Sequence, residues 1–301
     1  MGKKRKKALI ISVVIIIIIF SLMIVGLSKI TKVDMKDKIA VIPIIGAISS
    51  GNGDGSFLEG DSVSSSTIVG FIEQANKDKT VKGIILNINS PGGGVVASKE
   101  VADAVKKVDK PVVALIRDIG ASGAYWVASA SDYIIADPLS ITGSVGVIGS
   151  YLEFSDLMSK YGVKYQRITS GEYKDLGSPY SNLTDLQREL LLSKLGKIHK
   201  YFIDDVNKNR KKDLTRYANG LFYLGTEAKE YGLIDGLGGK EEAINMTLRL
   251  ANISKYELLV YRKETSIFDI LSKISSNFGF SVGEGIGSSF ASKSDNGIRL
   301  E

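Results

Sequence analysis

Gly120-Ala-Ser-Gly-Ala-Tyr125 decides how the rest of the chain is read. An apolar run, Pro111 to Arg117, leads into it and reads as a buried strand. An Ala/Ser-rich segment, Ala124 to Ala130, leads out of it and reads as a helix. Small residues on both sides of Ser122 leave its hydroxyl uncovered and let a second backbone approach. The start of a helix also offers N–H groups without intrahelical partners, which suits a developing oxyanion. Two readings of Ser122 stay open on this stretch alone: a nucleophile, or an ordinary N-cap in a tight strand-to-helix turn.

Outward from this turn, apolar runs alternate with helical patterns. Ile39–Ile44, Gly83–Asn89, Tyr133–Ala136, Gly143–Gly149, Lys164–Thr169 and Glu257–Tyr261 read as further strands. Ile68–Ala75, Val95–Val108, Phe154–Tyr161, Thr184 to about Lys208, Thr226–Tyr231 and Lys240–Ala251 read as helices. Ser49–Ser66 reads as a mobile loop, and Asn209–Leu224 as basic and then irregular. The alternation predicts an α/β fold with a core of parallel strands.

The chain has 301 residues, no cysteine and one histidine, His199. Disulfide, thiol and Cys-zinc chemistry are excluded, and any Ser-His-Asp triad must pass through His199. That residue lies in Leu195-Gly-Lys-Ile-His-Lys-Tyr-Phe202, with lysine on both sides, and reads as a structural or surface residue of the long helix. The formal net charge is +6, but Lys3, Lys4, Arg5, Lys6 and Lys7 carry five of the positive charges. The remainder is nearly neutral, so no nucleic-acid face is expected. Ala8–Ser28 is an uncharged run of 21 residues rich in Ile, Val and Leu. It is long enough to span a hydrocarbon core of about 30 Å, and the basic tip before it marks the cytoplasmic side. An uncleaved anchor is expected rather than a signal peptide, because no good Ala-x-Ala site follows the run. The expected organisation is a basic cytoplasmic tip (1–7), a transmembrane anchor (8–28), a connector (29–38), a folded domain on the outer side of the cell membrane (39–265) and a flexible tail (266–301). A short helix is expected within the tail at Ile267–Ile274.

A serine nucleophile needs a base within hydrogen-bond reach. If His199 is structural, the remaining base is a lysine. Among many lysines, Lys174 stands out because it lies in a Gly-containing loop, Ser170-Gly-Glu-Tyr-Lys-Asp175, and not on a helix face. Asn89-Ser-Pro-Gly-Gly-Gly94 has three readings: a phosphate cradle, an oxyanion hole or a plain turn. It lacks the spacing of the two common nucleotide-binding glycine motifs.

Five motifs in order are similar to one known family. They are Asn89–Gly94, Gly120–Trp126, Thr142–Val147, Ser170–Asp175 and Tyr231–Gly239. The pattern resembles the bacterial signal peptide peptidase A family, in its short, single-repeat form, over roughly Ile39 to Leu250 plus the anchor. The resemblance implies a Clp/crotonase-like fold and a membrane-anchored serine endopeptidase that hydrolyses residual signal peptides with a Ser/Lys dyad. It implies Ser122 as nucleophile, Lys174 as general base, and the N–H groups of Gly93 and Gly123 as the oxyanion hole. It implies Gly94, Val95, Thr142, Gly143, Ser144, Val145 and Gly146 along the bound peptide. Its implied partners are hydrophobic signal-peptide remnants, the lipid bilayer and further copies of the chain in a ring, where the lysine comes from a neighbouring subunit. No metal or cofactor is implied. The competing expectations are a catalytically silent membrane scaffold with a protease-like fold, and a crotonase-like acyl-CoA enzyme.

Overall fold

The computed structural model describes residue 2 and residues 13–23, 36–51 and 62–262. The chain divides into two compact units, Met1–Val260 and Tyr261–Glu301. Residues 13–23 are helical (α1). The rest of the expected anchor, 8–28, lies outside the described residues, as does the expected helix at Ile267–Ile274. Among the described residues no helix is long and apolar enough to cross a membrane.

The first unit is built on a parallel sheet. Its strands in chain order include β1 (Lys38–Ile45), β4 (Val81–Ser90), β5 (Val112–Ala121), β6 (Tyr133–Ala136), β9 (Gly236–Leu237) and β10 (Glu257–Val260). They lie in the order β10-β1-β4-β5-β6-β9, every neighbouring pair parallel. Between β1 and β4, Ala47–Ser49 (β2) and Ser62–Ser64 (β3) pair in a small sheet of their own. Ile141–Gly143 (β7) pairs with the end of β5 and, antiparallel, with Phe222–Leu224 (β8).

The central strands read as continuous apolar runs because both faces of the sheet are covered. Ile39, Ile85, Val113, Leu115 and Ile135 share one face with Ala243 and Ile244 of α8 (Lys240–Ala251). The alternate residues Ala40, Ile42, Ile84, Leu86, Ala114 and Ile116 are buried on the other. Helix α2 (Ser65–Lys77) packs on β1 and on α3 (Val95–Lys106), and α3 packs on α4 (Gly123–Ser129). Helix α2 buries Ile68, Ile72 and Ala75, the stripe its periodicity predicts. The short α5 (Ser155–Lys160) precedes α6 (Asp185–Arg210), which starts with a capping box between Thr184 and Gln187. Helix α7 (Gly225–Tyr231) ends at Gly232 in the left-handed conformation.

Four expectations are corrected. The expected loop Ser49–Ser66 does not run to its end, since Ser62–Ser64 forms β3 and Ser65 opens α2. Gly143–Gly149 is not a strand: β7 ends at Gly143, because Ser144 has φ +50° and turns the chain out of the sheet. Lys164–Thr169 is not a strand either. Its residues are exposed, Ile168 at 97%, and a segment with no neighbour to pair with makes no sheet. Asn209–Leu224 is not irregular to its end, since it closes on β8.

The feature that positions the site is a register shift. Strands β4 and β5 pair in step up to Ile88 and Ile116, then shift so that Ser90 faces Gly120. The chain therefore leaves both strands at their carboxyl ends at nearly the same level. The glycine turn 92–94 and the Ser122 turn meet there, where open α/β sheets place their ligands.

Candidate active site

Ser122 stands between β5 and α4 with φ +53° and ψ −123°. An ordinary N-cap residue has extended backbone and a side chain that caps the helix; Ser122 has neither. A non-glycine residue in this region costs about 1–3 kcal/mol and persists only where its surroundings hold it. Two hydrogen bonds hold it: its N–H donates to the Gly143 carbonyl (2.8 Å) and its carbonyl accepts from the Trp126 N–H (3.0 Å). The sharp turn presents the hydroxyl at the tip, as in strand-to-helix nucleophile turns. Among the described residues no group hydrogen-bonds that hydroxyl.

Opposite it, Ile48 of β2 clamps the glycine turn. The Ile48 N–H donates to Gly92 (2.8 Å) and the Gly94 N–H donates to the Ile48 carbonyl (2.8 Å). The residue between them, Gly93, keeps its own N–H unpaired among the described residues. The Gly123 N–H, first in its helix, is also unpaired there. The two groups adjoin: a Cβ added to Gly123 would stand 3.3 Å from the Gly93 nitrogen and 2.1 Å from the Ser98 hydroxyl oxygen. Two donors unpaired among the described residues, beside the half-buried Ser122 hydroxyl, make the arrangement that acyl transfer requires.

A cavity of about 520 Å³ opens over these groups, and Gly93, Ser122 and Gly123 line it. Of the residues expected along a bound peptide, Val95, Ser144 and Gly146 line it as well. Gly94, Thr142, Gly143 and Val145 stand behind this wall. Gly94 bonds to Ile48, the Thr142 hydroxyl donates to Gly120 (2.8 Å), and Gly143 holds Ser122. The N–H groups of Val145, Gly146 and Val147 have no partner among the described residues.

Lys174 is elsewhere. It is exposed, its N–H closes a turn to Gly171 (3.2 Å), and it does not line the cavity. Among the described residues that do, His199 is the only titratable one. Of the two expectations for His199, structural or surface, the structure favours the structural one. It is half-buried, and its Nε2 lies 3.0 Å from the Val145 carbonyl and 2.9 Å from the Ala218 carbonyl. Its flanking lysines were a poor guide, since adjacent helix residues point about 100° apart.

Sequence reasoning missed the cavity's far side. Trp126 stacks on Phe202 of α6 with ring centroids 4.3 Å apart, and its Nε1–H donates to Asp205 (2.7 Å). Asp205 also accepts from Lys106 of α3 (2.9 Å), so one carboxylate ties three helices around the cavity. Phe202 and Asp205 lie three residues apart on one helix, but no local pattern in the sequence joins them to Trp126. Ser98 was missed too. It is fully buried, lines the cavity, and its hydroxyl has no partner among the described residues.

Residues 104–254 match the model of peptidase family S49, and residues 59–136 match that of Clp protease. The chain belongs to peptidase family S49. It has the short, single-domain form, and its mostly parallel α/β sheet is Clp-protease-like. A protein of Methanocaldococcus jannaschii named as a protease is 35% identical over 224 residues, covering 73% of this chain and 71% of its own length. A protein of Enterococcus faecium named as a signal peptide peptidase is 30% identical over 237 residues, covering 77% of this chain and 69% of its own. Protease 4 of Haemophilus influenzae is 32% identical over 225 residues, and the match spans only 36% of its length. The chain is thus a protease by family, with a cavity where a serine and two free N–H groups converge.

Proposed function

We propose that the chain is a membrane-anchored serine endopeptidase whose nucleophile is Ser122 and whose general base is Lys174 of a neighbouring copy. One observation carries the reading: Ser122 is held at positive φ beside the unpaired N–H groups of Gly93 and Gly123. The Ser122 Oγ attacks the scissile carbonyl carbon as its proton passes to the neutral Lys174 amine. The oxyanion so formed takes the two glycine N–H bonds. Collapse breaks the C–N bond, and the Lys174 ammonium returns a proton to the leaving amine. Water then attacks the acyl-enzyme, with Lys174 accepting its proton and Ser122 regaining one.

Two observations support a base from a second copy. Lys174 is exposed and outside the cavity of its own chain. The same segment also exposes Ile148, Leu152, Tyr161 and Ile168, apolar surface that association in a ring would cover. The N–H groups of Val145–Val147, unpartnered among the described residues, suit hydrogen bonding to an extended peptide. Val147, Ile148 and Phe202 give the cavity apolar walls, which suits hydrophobic segments such as residual signal peptides. The apolar run 8–28 would keep the domain beside the outer face of the membrane, where such remnants lie.

The test is peptidase activity of the full chain in detergent on a fluorogenic hydrophobic peptide. Ser122→Ala and Lys174→Ala should each be inactive. Dissociating, mixing and reassembling the two should restore activity, because a hybrid ring contains intact pairs. No recovery from well-assembled hybrids would contradict a shared dyad, and an active Ser122→Ala would contradict the reading as a whole.

A further inference from the structure

The catalytic sequence above gives His199 nothing to do, yet its ring lines the same cavity as Ser122. Both atoms facing its Nε2 are backbone carbonyl oxygens, which can only accept hydrogen bonds. The Nε2 therefore carries a hydrogen shared between Val145 and Ala218, and this nitrogen is not free to take a proton from serine. We propose that His199 is a positioning residue that fixes the peptide-pairing edge of the cavity. The inference rests on the reading of Ser122 as nucleophile.

Three pieces of chain meet at this ring. His199 belongs to α6, whose buried Phe202 and Val206 dock it to the body of the domain. Val145 follows the Ser144 kink, and Ala218 precedes the return into β8. Beyond the β7–β8 pairing and the buried Val145 side chain, the kink's other hydrogen bonds are local. The Ser144 N–H donates to Leu221 (2.9 Å), its hydroxyl donates to Gly220 (3.3 Å), and the Gly220 N–H donates to Val145 (3.0 Å). All of these hydrogen bonds join the 144–145 segment to 220–221. The His199 bonds are different in kind, because they tie both loops to a helix. They hold the Val145 carbonyl between the ring and the Gly220 N–H, next to the N–H groups of Val145, Gly146 and Val147 that have no partner among the described residues. A peptide binding there would otherwise have to order the loops itself, which weakens binding.

The substitution series follows from which nitrogen is used. The terminal amide nitrogen of glutamine can reach the place of Nε2, whereas that of asparagine corresponds to Nδ1 and falls short. His199→Leu and His199→Asn should raise KM on the hydrophobic peptide at least fivefold, with kcat within threefold of wild type. His199→Gln should bring KM back to within twofold. A His199→Leu enzyme with unchanged KM overturns the proposal. So does a His199→Gln enzyme with kcat reduced a hundredfold, because that result makes the ring a base. If His199→Leu does not fold, as read by thermal melting, His199→Asn decides: a KM raised at least fivefold over that of His199→Gln upholds the clamp, and a KM within twofold of wild type overturns it. Ser122→Ala in the same assay keeps the two readings apart. Activity persisting there removes the nucleophile, while the KM values of the Gln and Leu variants still report on the clamp.

Discussion

Replacing Gly93 by alanine tests the oxyanion arrangement where the structure leaves least room. Gly93 has φ +157°, and a Cβ there would stand 2.1 Å from the Ile48 carbonyl oxygen and 2.7 Å from the Ile48 nitrogen. Both are backbone atoms, and both already hold the glycine turn through 2.8 Å hydrogen bonds. No rotamer relieves the clash, so β2 or the turn must shift by about an ångström in a close-packed region. A donor displaced that far no longer reaches the oxyanion. Loss of one such donor costs about 10²–10³ in kcat, or about 2.7–4 kcal/mol. The strained backbone adds about 1–3 kcal/mol against the fold. In a domain of this size each kcal/mol lowers Tm by about 2–4 °C. The assay is kcat on the hydrophobic peptide, taken well below the melting temperature so that only folded enzyme is counted. The expected outcome is a kcat loss far larger than the loss of folded protein explains. A Gly93→Ala enzyme with kcat within threefold of wild type would refute the reasoning, whatever its stability.

Further substitutions probe the frame around the site. Ser122→Gly and Ser122→Ala should both be inactive, but the glycine variant should melt higher by a few degrees, because only glycine accepts φ +53° without strain; equal melting temperatures would mean that no strain is stored there. Asp205→Ala removes the acceptor of the buried Trp126 Nε1–H and should cost about 1–3 kcal/mol in urea unfolding. Asp103 gives the pH dependence. Burial pushes its pKa up, but hydrogen bonds from Lys99 and Lys106 outweigh that and hold it below the ordinary carboxylate value. A depressed native pKa stabilises the fold above the unfolded value, and that contribution is lost as pH falls through the native one. Melting temperature should therefore drop on acidification below about pH 4, and Asp103→Asn should flatten that slope.

Much of this architecture was legible in the sequence because its signals are local. Apolar runs ended by Pro91 or Gly120 marked the central strands, and α8 fell at Lys240–Ala251, where its periodicity placed it. The Ser122 turn could be located because small residues flank it, but its backbone angles follow from bonds to Gly143 and Trp126 that no local pattern encodes. Lys164–Thr169 shows the opposite failure: the segment reads as a strand, yet a strand needs a neighbour, and the described residues supply none. The cavity's far side was hidden for a related reason. Trp126, His199 and Asn219 converge only once α6 crosses α4, and Ser98 looks like any helix serine until its hydroxyl is seen to be buried without a partner.

The most direct single measurement is covalent capture of the nucleophile. Assembled wild-type chain would be treated with a fluorophosphonate, digested and mapped by mass spectrometry alongside Ser122→Ala. The expected result is one adduct, on Ser122, formed in step with loss of peptidase activity and absent from the variant. An adduct on another residue that tracks the loss of activity, or undiminished activity with Ser122 fully modified, would contradict the assignment of Ser122 as the nucleophile.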